Sequence, residues 1–247
     1  YGSSAIGGVI NIITKKGGIK NALHQQNYGS YNTWHSVAAY NSGNDSKYLN
    51  AHISRLSIIG FSAADEALGN KEADGYERYA YGAKSGIIFA DIHQFEINAQ
   101  GIKAKVNTDA FGGPNGDDPK ANSQTQELFA RAQLKSFLYE GVSENILGFS
   151  MSDHNRTSET ISTHDFFKSR VYKTDLQNNI HLNEHNTLSI GSESRQELAS
   201  SPDILTGHSR SSYGFFLQDQ EKLEKIFFAC GARIDHDNQF GNIVTYR

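Results

Sequence analysis

A single cysteine, Cys230, in a chain of 247 residues excludes an internal disulfide and any Cys-x-x-Cys metal or redox pair. Proline is almost as scarce: Pro114, Pro119 and Pro202 are the three present, so long stretches are free to pair as strands. No run approaches the roughly 18 to 20 consecutive apolar residues that a spanning helix needs, which excludes a helical membrane protein. Nor is there an excess of positive charge. With Lys+Arg 23 against Asp+Glu 27 and a formal net charge of −4, the chain has no broad basic field and does not fit a nucleic-acid partner.

What is present is aromatic, glycine-rich and alternating. Tyr 12, Phe 14 and Gly 23 suit many strands joined by turns. In the run from Leu128 to Lys135, the apolar Leu128, Ala130, Ala132 and Leu134 alternate with Arg131, Gln133 and Lys135. Tyr79, Tyr81, Ala83, Ile87 and Phe89 make a second outward row, opposed by Arg78, Lys84 and glycines; Leu147, Phe149 and Met151 make a third, and Tyr213, Phe215 and Leu217 a fourth. The connections alternate too. Short turns at 42–46, 91–92, 139–143, 183–186 and 222–224 are interleaved with longer links at 60–76, 107–123, 154–168, 199–208 and 236–241, and all three prolines fall in the longer class. The pattern gives eleven strands and the start of a twelfth, each of about 10 residues or slightly more. Short turns on one side and long loops on the other are the arrangement of a transmembrane antiparallel β-barrel. The negative mean hydropathy of −0.54 is compatible with it, because barrel strands alternate lipid-facing with polar residues.

Enzyme chemistry finds no support. There is no Gly-x-Ser-x-Gly elbow, the ten histidines are dispersed, and the glycines at 112–116 lack the Lys-Ser/Thr of a phosphate loop. The chain is expected not to be an enzyme.

The first sixteen residues, from Tyr1 to Lys16, set a Gly-rich turn before the β-branched run Val9-Ile10-Asn11-Ile12-Ile13. This segment resembles the end of the plug domain of TonB-dependent outer-membrane receptors. The resemblance implies a boundary: 1–17 as the C-terminal end of a plug and 18–247 as the N-terminal half of a barrel of about 22 strands. Tyr1 is not an initiator Met, and the last residues run as if in mid-strand, so the chain reads as a piece of a longer protein. A half-barrel has two raw edges and is not expected to insert or transport alone.

Later segments resemble the cobalamin receptors of that family: Asn27-Tyr28-Gly29-Ser30-Tyr31-Asn32-Thr33 as a tight first extracellular hairpin, and the run from Ala232 to Gly241 with its Arg, Asp and Asn-Gln-Phe-Gly in order. Siderophore receptors share the plug terminus and the Gln218-Asp219 and Arg-x-Asp elements. The resemblance implies import of a scarce nutrient into the periplasm, cobalamin first and a ferric siderophore as the alternative, driven by the TonB energy-coupling complex. A passive porin is the third reading. The resemblance also implies calcium in the extracellular loops. Asp109, in Asn107-Thr108-Asp109-Ala110-Phe111, is the residue carried over; Asp117 and Asp118 share its loop, and Asp153 and Asp165 bracket the next. Calcium takes six to eight oxygens, so acids from two loops are a plausible source, with solvated loop acids as the alternative. Lys103 and Lys105 depart from the pattern, since ammonium groups weaken a cation site. Arg78, Lys84, Glu96, Arg131 and Lys135 are expected to face the lumen, and Trp34, Tyr40, Tyr48, Tyr79, Phe89 and Phe95 to form the aromatic girdle against outer-membrane lipid.

Overall fold

The computed structural model describes residues 17–62, 64–109, 118–202, 207–223 and 226–246. The Gly-rich opening segment, with its plug-like run, lies outside them. Twelve strands form one antiparallel sheet in strict sequence order: β1 (Asn21–Gly29), β2 (Thr33–Gly43), β3 (Lys47–Ile58), β4 (Tyr76–Phe89), β5 (His93–Asn107), β6 (Asn122–Leu138), β7 (Ser143–Glu159), β8 (His164–His181), β9 (Asn186–Ser200), β10 (His208–Leu223), β11 (Ile226–Asp237) and β12 (Gly241–Tyr246). The order leaves β1 and β12 as the two edges. The first hairpin closes on Tyr31 and Asn32, both left-handed, with Thr33 N–H donating to Ser30 O at 3.1 Å; such a turn matches the twist of its strands.

Sequence alternation becomes two chemically opposite faces. On one face the hydrogen-bonded register sets Ile87, Phe95, Leu134, Leu147, Leu176, Ser192, Phe215, Ile234 and Val244 side by side. On the other, Asn21, Asn41, Asn50, Lys84, Asn98, Arg131, Ser150, Lys173, Arg195, Ser212 and Asp237 run across eleven strands without one apolar side chain. The first row starts near the turn end of β4 and finishes near the loop end of β11, a stagger that tilted strands require.

Exposure is inverted relative to a soluble protein. Phe149 is 50% exposed and Phe215 62%, while Lys84 is 9% and Asp235 8%. Among the described residues Ala121 is the one buried apolar residue. The chain exposes 16834 Å², against about 11,000 Å² for a compact soluble protein of its mass. Among the described residues no apolar core forms on either side. The apolar face is open and the polar face is the more enclosed, which is the convex and concave division of a curled sheet. Trp34, Tyr40, Tyr79, Phe89 and Phe95 lie exposed on the convex side as expected. Tyr48 does not: it sits on the concave face beside Gly86 and donates its hydroxyl to Glu96, so it leaves the girdle.

The strands are longer than the sequence pattern implied. β6 and β7 have 17 residues and β8 has 18. At about 3.3 Å per residue and a tilt near 45°, β8 rises about 42 Å, beyond an apolar band of about 25 Å. Two expected long links shrink for this reason. Residues expected at 154–168 to be loop belong to β7 and β8, whose tip is 160–163, and β11 runs through Asp237 to a turn at 238–240. The described residues of the links at 59–75 and 108–121 do lie outside the strands, the first link carrying a short 3-10 helix, Glu66–Leu68. At the opposite end, Gly17 lies against the backbone of Ser42 and Leu49, where any Cβ would collide.

Candidate functional site: a paired polar wall below an acidic outer loop

The concave face carries two adjacent rows of opposite charge. The upper row holds Lys84, Arg131, Lys173 and Arg195; the row below runs Gly86, Glu96, Gln133, Gly148, Asp175, Glu193, Gly214 and Asp235. Residues two apart along a strand share a face, so long basic side chains reach down to the acids. Lys84 pairs with Glu96 at 3.1 Å, Arg131 makes two 2.7 Å bonds to Asp175, and Lys173 pairs with Glu193 at 2.6 Å. Lys135 donates to Glu144 at 2.5 Å, and Arg233 binds Asp235 at 2.6 Å. Of the expected lumen residues, Lys84, Glu96, Arg131 and Lys135 thus have partners in the wall itself. Arg78 shares the face, and its Nε is buried with no hydrogen-bond partner among the described residues.

Glycine makes the longer pairings possible. Arg131 on β6 reaches Asp175 on β8 by lying across Gly148 on β7, where a Cβ would overlap both the guanidinium and the carboxylate. Gly214 admits Arg233 in the same way, and Gly86 admits the Tyr48 ring. A bidentate guanidinium–carboxylate pair fixes direction as well as charge. The wall is therefore a cross-linked polar lattice rather than a set of solvated charges.

Above the wall, the loops bring three acids together. Glu72 and Asp74, from 59–75, meet Asp109 at the start of 108–121, with ligand oxygens all within 4.8 Å of one another. Asp109 Oδ2 is buried and has no hydrogen-bond partner among the described residues, while Oδ1 faces the Asp118 N–H at 3.5 Å. The backbone draws the loops together: Asn107 N–H donates to Gly75 O at 2.9 Å, and Thr108 N–H to Ala121 O at 3.0 Å.

Of the other expected calcium ligands, Asp118, Asp153 and Asp165 bring no carboxylate to this cluster. Asp117 lies outside the described residues. Asp118 is 3% exposed, and its two oxygens accept from Lys120 N–H at 3.0 Å and Ile161 N–H at 2.7 Å, so it clamps the 108–121 loop to the β7–β8 tip. Asp153 is a strand residue on the convex face, bound to Arg170 at 2.5 Å and Asn155 at 2.6 Å. Asp165 is exposed near the start of β8. Loop length misled the reading: what looked like a loop bracketed by two acids is a protruding hairpin. Sequence reasoning missed Glu72 and Asp74, although Asn70-Lys71-Glu72-Ala73-Asp74 stands in the link next to that of Asp109, on the same side of an up-and-down sheet.

No protein-family model and no curated protein matches the chain. Solved structures do. The FrpB iron transporter from Neisseria meningitidis aligns over 92% of this chain and 42% of its own, with a TM-score of 0.70 at 11% identity. The fold is that of part of a TonB-dependent receptor barrel. The copper transporter OprC aligns over 97% of this chain and 43% of its own (TM-score 0.60, 11% identity). The ferric enterobactin receptor PfeA from Pseudomonas aeruginosa aligns over 98% and 43% (0.64, 12%). The chain spans about two-fifths of the length of these structures.

Proposed function

We propose that this chain forms the early barrel wall of an outer-membrane receptor that imports a scarce nutrient, cobalamin, by energised movement of a plug coupled to the TonB complex. The carrying observation is the inverted sheet: an open apolar convex face around a polar concave face whose charges satisfy one another. A barrel wall must keep its inner face wet enough for a plug to shift and its outer face compatible with hydrocarbon. Likeness to barrels of this class supports the reading, and the patches that resemble cobalamin receptors favour cobalamin as the ligand. In cells lacking their own cobalamin receptor, the full-length gene product is expected to raise labelled cobalamin uptake at least tenfold, and a protonophore to abolish the gain. Uptake unaffected by the protonophore would instead identify a passive pore.

A ferric siderophore is the second reading, favoured by the alignment with an iron transporter and a ferric enterobactin receptor. The same cells supplied with ferric chelates decide between the two.

Calcium belongs to the same proposal, with a revised ligand set. Glu72, Asp74 and Asp109 fit a hard cation: three carboxylates converge, one with a buried oxygen that nothing else satisfies. The ion would neutralise the acids and tie the 59–75 loop to the 108–121 loop. Calcium is expected to slow amide exchange in both loops of the full-length receptor, and Asp109→Asn to weaken its binding at least tenfold. Unchanged exchange on adding calcium would remove the site.

A further inference from the structure

Between the ion-pair lattice and the loops, the concave wall changes character. Hydrogen-bonded register sets His52, Gly82, Gln100, Phe129 and Ser152 in one row from β3 to β7, and Ser54, Ala80, Ile102, Glu127 and His154 in the row above it. A cavity of about 450 Å³ opens on these two rows. A Cβ on Gly82 would stand 2.5 Å from the His52 imidazole, so glycine lets that ring lie across β4 at the cavity edge.

In the lattice the bases are bound to acids; here the polar groups stand unpaired. His52, Gln100 and Ser152 make no hydrogen bond among the described residues, and Ala80, Ile102 and Phe129 lay an apolar floor between them. Among the described residues no Lys or Arg lines the cavity, and its acid, Glu127, lies 3.1 Å from His154. The neighbouring cations belong elsewhere. Lys84 and Arg131, in the row below, are bound to Glu96 and Asp175. Arg78 and Arg156 stand one row beyond the cavity, towards the loops that carry Glu72, Asp74 and Asp109.

We propose that this cavity seats the carboxamide-fringed edge of a planar, uncharged ligand on its way from the loops into the barrel. Phe129 and Ile102 take the ring, the Gln100 side chain exchanges N–H and C=O with one carboxamide, His52 and Ser152 bind the next, and Glu127 accepts an amide N–H. The rows span four strand spacings, about 19 Å, so the wall meets several such groups at once. Unpaired neutral donors and acceptors around an apolar floor suit amides, whose hydrogen bonds to water they replace. An anionic ferric chelate would instead meet Glu127 and no lining cation.

This inference rests on the cobalamin reading, since cobalamin is a planar ring fringed with carboxamides, and the test separates the two. Binding of cyanocobalamin to the full-length protein in mild detergent is measured by equilibrium dialysis. Phe129→Ala and Gln100→Leu should each weaken it about tenfold. Phe216→Ala, at a lumen-side ring that lies over Gly191 lower on the wall, should leave it unchanged. Benzoylphenylalanine placed at position 129 should cross-link to bound cyanocobalamin on irradiation, and at position 216 should not. Where Phe129→Ala fails to fold, Gln100→Leu and the cross-link decide. Undiminished binding by the variants, with no cross-link from position 129, overturns the seat and leaves the cobalamin reading intact. A wild-type protein that binds ferric enterobactin and not cyanocobalamin overturns that reading, and the seat with it.

Discussion

Strand β6 carries two opposite solutions on its two faces. Outward, Leu128, Ala130, Ala132 and Leu134 lie beside Asp153, Met151, Phe149 and Leu147 of β7; inward, Arg131 and Lys135 are locked to Asp175 and Glu144. The difference teaches where the stabilising medium lies. In water the convex face would cost about 25 cal/mol for every Å² of apolar surface left exposed, which is why the proposed function sets it against hydrocarbon. The concave face needs no such cover, because its bases pair with its acids at Lys84–Glu96, Arg131–Asp175, Lys135–Glu144, Lys173–Glu193 and Arg233–Asp235. The largest effect that could break this comparison is a charge placed outside. Phe149→Arg on the convex face is expected to destabilise the full-length protein in vesicles by about 2–4 kcal/mol. Gln177→Arg, inward on the neighbouring β8, gives up a hydrogen bond to Asn179 and should cost no more than about 1.5 kcal/mol. Denaturant titrations that rank the two variants the other way would show that the faces have been assigned wrongly.

A smaller effect tests the lattice rather than the medium. Gly148→Ala places a methyl group where Arg131 crosses to Asp175, and overpacking of this kind costs about 1–3 kcal/mol. Gly18→Ala, with open space around it, is the matched control. In an Arg131→Ala background the Gly148→Ala penalty should largely vanish, since the crossing side chain is gone. A penalty that persists there would mean the glycine serves the backbone and not the ion pair.

The faces were legible in the sequence and the loops were not, for a physical reason. Period-2 alternation is a property of each residue and its neighbours, so Arg131, Lys84 and the rows from Tyr79 to Phe89 could be assigned to a side before any pairing was known. Tyr48 was misplaced because a tyrosine suits either an interface or a polar wall; only the register with Gly86 and Glu96 decides. The acid cluster depends on which loops meet, which is long-range information. Asp118 shows the same limit: its type suggested a ligand, and its neighbours make it a clamp. The Ala232–Gly241 patch also carries structure, since Asp237 caps the turn that follows β11.

Two acids once grouped as ligands now separate cleanly. Asp118→Ala removes the acceptor of the Lys120 and Ile161 N–H groups, and leaving such donors unsatisfied costs about 1–3 kcal/mol. Amide exchange at Ile161 should accelerate before the strands open. Asp165→Ala, on an exposed strand end, should fall within about 0.5 kcal/mol of wild type. If the two variants behave alike, the bond from loop to hairpin tip is not formed in solution.

The smallest effect concerns a single turn. Asp237 Oδ1 accepts from the N–H groups of Gln239 at 2.9 Å and Phe240 at 3.2 Å, and Oδ2 binds Arg210 at 2.7 Å. The Gln239 N–H, with help from Arg210 and Phe240, holds this carboxyl below the usual carboxylate range. A depressed folded value means the charged form favours the turn. Its contribution is complete above the unfolded value of about 4 and disappears as pH falls through the lower folded value. Amide protection at Gln239 and Phe240 should therefore be flat from neutral pH down to about 4 and fail only in stronger acid. Asp237→Asn should lose the acid step while keeping most of the turn, because an amide oxygen can still accept. Protection lost between neutral pH and about 5 would show that a group other than this carboxylate holds the turn.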